Sequence, residues 1–127
     1  MSIRFCIADR QPRVRYGMRI LLEQQPGWKV ISEAADADEV LKQMHANCAD
    51  FLLLDWELPG QAAEELIARL RKSCPCLRVI TLSGHHDARQ AALKAGVDGF
   101  ASKTEPPERL ISLIQEIASI DSRVESS

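Results

Sequence analysis

Phe51-Leu52-Leu53-Leu54-Asp55 is apolar on four consecutive positions and then ends in a carboxylate. Successive side chains of a strand point to opposite faces, so an unbroken apolar run needs cover on both sides. That requirement places Asp50–Leu54 in the middle of a parallel sheet, with helices above and below it. Four more short apolar runs fit the same scheme: Ile3–Ala8, Trp28–Ser32, Arg78–Leu82 and Gly99–Ser102. Helical stripes separate them. Val14, Met18, Leu21 and Leu22 follow Pro12, a residue suited to a first helical turn, and Pro26-Gly27 stops that helix. Asp36 and Glu39 have the spacing of a capping box ahead of Val40, Leu41 and Met44. Ala63, Leu66, Ile67 and Leu70 form a third stripe, and Ala88, Ala91, Ala92 and Ala95, closed by Gly96, a fourth. Leu110, Ile111, Ile114, Ile117 and Ala118 form the last. Strand then helix, five times over, predicts an α/β fold: a five-stranded parallel sheet, doubly wound as (βα)5.

The 127 residues, 46% of them hydrophobic, suffice for one domain with a real core. The charge sum, 16 Lys+Arg against 18 Asp+Glu, is −2. That excludes the positive excess behind unspecific nucleic-acid binding. No apolar run reaches the ~18–20 residues of a membrane span. Arg4 and Asp9 interrupt the first apolar stretch, which is too short for a signal peptide. The expectation is a soluble cytoplasmic domain over residues 1–120. The polar stretch 121–127 is read as a linker or a frayed tail. With no export signal, the four cysteines are expected to be reduced, and Cys6 to lie in the core. Cys74-Pro75-Cys76 reads either as half of a soft-metal or redox pair or as a plain loop. Two thiolates alone do not fill a zinc shell.

In sheets of this kind ligands collect at the carboxyl ends of the strands. The first strand ends in Asp9-Arg10, the third in Asp55-Trp56-Glu57 before Leu58-Pro59-Gly60, the fourth in Ser83-Gly84, and the fifth near Ser102-Lys103. Singly each has a plain explanation. An Asp caps a turn, a Lys is a solvated charge, a Ser before Gly is turn chemistry. Together they converge on one rim from four strands. The first strand is followed by no glycine-rich phosphate loop, which argues against a dinucleotide or flavin site.

With these residues assembled, the chain resembles a bacterial response-regulator receiver domain, of the subgroup found ahead of helix-turn-helix output domains. The resemblance runs from Ile3 to about Ile120. It rests on Ile7-Ala8-Asp9-Arg10-Gln11-Pro12 with Val14 and Gly17, on Phe51 to Asp55 with Leu58-Pro59-Gly60, on Val79 to Gly84, and on Ala95 to Phe100 with Lys103. It implies a flavodoxin-like receiver architecture and a regulatory role rather than an enzyme's. Asp55 would accept a phosphoryl group from a sensor histidine kinase. Asp9, Asp55 and the Glu57 backbone carbonyl would hold Mg²⁺. Lys103 would pair with the phosphoryl oxygens. Ser83 and Phe100 would move inward as the switch. The output would lie outside this chain, in a DNA-binding module, with homodimerisation an option and no direct nucleic-acid contact by this domain.

One departure bears on all of this. The family carries two adjacent acids where this chain has Asp9-Arg10, and the replaced acid is a metal ligand. In the favoured reading Arg10 fills the metal's place, pairing with Asp55 or Asp9 through its two-pronged guanidinium. The alternatives leave Arg10 in solvent over a weaker Mg²⁺ site, or let the Glu57 side chain replace the missing acid. The function read from this is a phosphorylation-controlled receiver for transcription regulation with a degenerate metal site. The competing reading is a phosphorylation-independent interaction or dimerisation domain. A small aspartyl-phosphate enzyme is disfavoured by the lack of a substrate-sized insertion. Arg13, Arg15 and Arg19 make the first helix basic, a docking face or a solvated one. His85-His86 are expected in an exposed loop, and Trp56 either gates the site or packs in the core.

Overall fold

The computed structural model describes the backbone over residues 2–126 and side chains over residues 2–120. The strands are β1 (Ile3–Ala8), β2 (Trp28–Ala34), β3 (Phe51–Asp55), β4 (Arg78–Ser83) and β5 (Gly99–Ser102). They alternate with α1 (Pro12–Glu23), α2 (Ala37–Ala46), α3 (Ala63–Ser73), α4 (Ala88–Lys94) and α5 (Pro107–Ser126). All neighbouring strands pair in parallel, in the order β2-β1-β3-β4-β5. The register opposes Ala8 to Leu54, Asp55 to Leu82 and Ser83 to Ser102, so the carboxyl ends form a common rim.

Every residue of β3 is buried, as its double-sided apolar pattern requires. Leu52 and Leu54 face a core made with Val40 and Met44 of α2 and Leu66, Ile67 and Leu70 of α3. Phe51 and Leu53 face the opposite core, made with Leu22 of α1 and Leu110, Ile111 and Ile114 of α5. Each such side chain contributes about 1.5–3 kcal/mol when fully buried, so the central strand is anchored from both sides. Among the described residues no helix is long and apolar enough to cross a membrane.

Four expectations change. β2 runs two residues past Ser32, because Glu33 and Ala34 still find pairing partners in Ile7 and Ala8. On α4 only Ala92 is buried and Ala91 is exposed, so the alanine stripe is not a continuous sheet contact. α5 continues to Ser126 through the stretch read as a tail. No Gly or Pro follows Pro107 to stop it. The side chains of residues 121–127 lie outside the described residues. The fourth correction concerns the cysteines. Cys48 and Cys74 form a disulfide, with Cα atoms 6.0 Å apart, while Cys6 is free and buried and Cys76 free and exposed. The bridge follows from packing: Met44 near the end of α2 and Leu70 near the end of α3 share one core, which brings the residues after them together. Cys74 is thereby taken from the Cys74-Pro75-Cys76 pair, and Cys6 is pushed up to about 11 chiefly by burial.

The capping box forms with a one-residue offset. Asp36 accepts from the Glu39 N–H at 2.9 Å, and Glu39 accepts from the Ala35 N–H at 3.4 Å. Beside it Gly60 has φ +108°, and a Cβ there would sit 3.3 Å from the Ala37 Cβ and backbone N. This turn carries the chain from Asp55 to α3. Gly60→Ala is expected to lower stability by about 1–3 kcal/mol, read from urea unfolding midpoints.

Candidate functional site

Asp55 closes the central strand and Asp9 follows its neighbour β1, so two carboxylates emerge side by side at the rim. Both are nearly inaccessible, at 6% and 2% exposure. Buried carboxylates need partners, and each oxygen has one. Asp9 Oδ1 accepts from the Gln11 N–H at 2.9 Å and Asp55 Oδ1 from the Glu57 N–H at 3.1 Å. The other two oxygens face Lys103, whose Nζ lies 2.8 Å from Asp9 Oδ2 and 3.4 Å from Asp55 Oδ2. Lys103 is aimed there by its own backbone, which donates to the Ser83 carbonyl at 2.9 Å just beyond the β4–β5 pairing.

Burial pulls the Lys103 ammonium down, but the Asp9 hydrogen bond and the charges of Asp55 and Asp9 outweigh it and leave its pKa above the ordinary value. A raised folded-state pKa contributes stability that is complete below the unfolded value of about 10.4 and lost as pH climbs through the folded one. The urea midpoint of the wild type is therefore expected to exceed that of Lys103→Met by a constant margin from pH 8 to 10. The margin shrinks at more alkaline pH.

Arg10 does not take the place expected of it. Its side chain is exposed, and no hydrogen bond or ion pair joins it to Asp9 or Asp55. Lys103 reaches in from β5 and already occupies the free oxygen of each carboxylate, so a guanidinium on the flank gains nothing by burying itself. Without Arg10 the set Asp9, Asp55 and Lys103 sums to a formal −1. Among the described residues no three His, Cys, Asp or Glu side chains converge as a metal cage. Two buried hard-oxygen ligands remain, and that fits a small cation that keeps several of its waters, as Mg²⁺ does.

Ser83 is fully buried at the end of β4. Its hydroxyl donates to Glu57 Oε1 at 2.9 Å and accepts the His85 N–H at 3.0 Å. Glu57 does turn inward, but towards Ser83 rather than towards a metal position. Nothing in the sequence foretells that choice, because it depends on the loops after β3 and β4 meeting across the rim. His85 is exposed, with Nε2 3.8 Å from Glu57 Oε1. Phe100 is half-buried on β5, opposite Thr81. Trp56 packs on the core shared with α2 and α3, which answers the choice between gate and packing. Of the basic residues on α1, Arg15 and Arg19 both pair with Glu33, and Arg15 also donates to the Asp9 carbonyl. They brace α1 against β2, leaving Arg10 and Arg13 exposed.

The rim thus presents two buried acids bridged by one ammonium, with a buried hydroxyl on the next strand. Residues 5–115 match the family described as Response regulator receiver domain. Response regulator UvrY of Escherichia coli O6:H1 is 30% identical over 119 residues, which is 92% of this chain and 55% of that protein. The chain therefore spans about half the length of the curated relatives it matches. The crystal structure of a LuxR-family two-component response regulator from Aurantimonas sp. SI85-9A1 is similar at TM-score 0.86 and 30% identity, covering 94% of this chain and 86% of that one. The signal receiver domain of NarL from Mycobacterium tuberculosis gives TM-score 0.83 and 26% identity, covering 93% and 97%. On the family match over most of its length and on strand order, the chain belongs to the response regulator receiver domain family.

Proposed function

We propose that this domain is a phosphorylation-controlled switch of a two-component transcription regulator, with Asp55 as phosphoacceptor. The observation that carries the reading is the Lys103 ammonium shared by two buried carboxylates at the strand ends. Asp55 Oδ attacks the phosphorus of a phosphohistidine on a sensor kinase. The P–N bond breaks, its electron pair returns to the imidazole nitrogen, which takes up a proton, and an acyl phosphate remains on Asp55. Lys103 pairs with the incoming phosphoryl oxygens as it already pairs with the carboxylate. Asp9, Asp55 and the Glu57 backbone carbonyl would hold Mg²⁺, which would neutralise phosphoryl charge when bound. The Ser83 hydroxyl then turns to the phosphoryl group and Phe100 follows it, changing the surface near α4 and β5. The relatives, nearly twice as long, support a DNA-binding output module beyond this domain.

Arg10 beside Asp9 removes one oxygen ligand and adds a cation, so the Mg²⁺ site is weaker than the family's usual one. Incubation with phosphoramidate and Mg²⁺ is expected to add the mass of one phosphoryl group to the wild type and none to Asp55→Asn. Arg10→Asp is expected to tighten Mg²⁺ binding about tenfold, read by Trp56 fluorescence, since a net change of two charges at a screened rim is worth about 1.4 kcal/mol. No mass gain in the wild type with a clear gain in Arg10→Asp overturns the reading. It establishes instead the phosphorylation-independent interaction or dimerisation domain.

A further inference from the structure

The Ser83 hydroxyl has one proton to donate, and Glu57 holds it. Glu57 Oε1 accepts from Ser83 Oγ at 2.9 Å, while the Glu57 backbone N–H donates to Asp55 Oδ1 at 3.1 Å. One residue therefore touches the acceptor carboxylate with its amide and the switch hydroxyl with its side chain. A hydrogen bond to a carboxylate is about twice as strong as one between neutral groups. The His85 N–H, donating to the same hydroxyl at 3.0 Å, fixes the Ser83 oxygen from the other side.

Resting on the phosphoacceptor reading, we propose that Glu57 is a positioning residue that latches Ser83 in the unphosphorylated arrangement, so that a phosphoryl group on Asp55 must displace the Glu57 carboxylate before the switch turns. The release is built in. Phosphorylation adds negative charge beside the residue whose amide contacts Asp55. Like charge drives the Glu57 carboxylate outward, towards solvent that it already half meets and towards the exposed His85 imidazole, 3.8 Å away. The freed hydroxyl then has a stronger acceptor within the site. Glu57 thereby sets a threshold: it weakens the response to a phosphoryl group by the work of breaking its own bond to Ser83.

The test titrates beryllofluoride in saturating Mg²⁺ against Trp56 fluorescence. Glu57→Ala and Glu57→Gln are compared in two backgrounds, Ser83 intact and Ser83→Ala. Glu57→Ala is expected to tighten the apparent affinity about tenfold with Ser83 intact and less than twofold in Ser83→Ala. Glu57→Gln, which keeps an acceptor without the charge, falls between. An equal gain in both backgrounds overturns the latch, because Glu57 then acts by charge alone. If no variant binds beryllofluoride, the phosphoacceptor reading fails, and crystal structures of the unliganded wild type and Glu57→Ala decide the latch separately. A Ser83 hydroxyl turned away from its wild-type position in Glu57→Ala supports it, and an unchanged one overturns it.

Discussion

Lys103→Met is expected to cost about 2–3 kcal/mol of stability at neutral pH. Removing one partner from a buried ion pair costs about 3–5 kcal/mol. Here the ammonium is part-exposed at 29% while the Asp9 and Asp55 side chains are 3% and 7% exposed, so solvent screens part of the loss. What remains is two like charges on adjacent strands with only amide donors between them. Two consequences separate this account from a simple packing defect. Asp9→Asn in the same chain restores part of the stability, because the repulsion between the two carboxylates is removed. Millimolar Mg²⁺ raises the urea midpoint of Lys103→Met more than that of the wild type, since the ion no longer competes with the ammonium. A deficit unchanged by Asp9→Asn and by Mg²⁺ would show that the lysine stem, not its charge, matters.

Opening the Cys48–Cys74 bridge is expected to have an effect of similar or larger size. The cross-link spans 26 residues, and the loop-closure relation assigns such a loop about 3.5 kcal/mol at 25 °C. For a chain of this length that corresponds to a fall of roughly 10–15 °C in Tm. Calorimetry with and without a phosphine reductant measures it, and the Cys48→Ser, Cys74→Ser double variant should unfold at the reduced protein's temperature under both conditions. Cys76→Ser should leave the difference intact, because that thiol is exposed and unpaired. Equal Tm values for oxidised and reduced wild type would remove the bridge from any account of stability.

The elements were legible because their signals are local. β3 announces burial on both faces within five residues, and the stripes at Ala63, Leu66, Ile67 and Leu70 turn out buried to the last position. The convergence of Asp9, Asp55, Ser83 and Lys103 was legible too, since parallel pairing forces strand ends to one side. What stayed hidden is set by contacts between segments far apart in the chain. Arg10 and Lys103 compete for the same oxygens, and only the geometry at the end of β5 decides which cation wins. Glu57 and Ser83 are 26 positions apart and meet through two loops. The disulfide needed the further fact that α2 and α3 lie side by side on one face of the sheet.

The position of that bridge has its own consequence. Cys48 precedes β3 and Cys74 precedes β4, so the covalent tie fastens the edge of the sheet where strands begin. Asp55, Ser83 and Lys103 sit where strands finish. On the proposed function, rigidity and responsiveness are therefore assigned to opposite borders of one five-stranded layer. Phosphorylation at one border would then rearrange its loops while the far border keeps the strands in place, and hardening the protein there need not blunt the proposed switch.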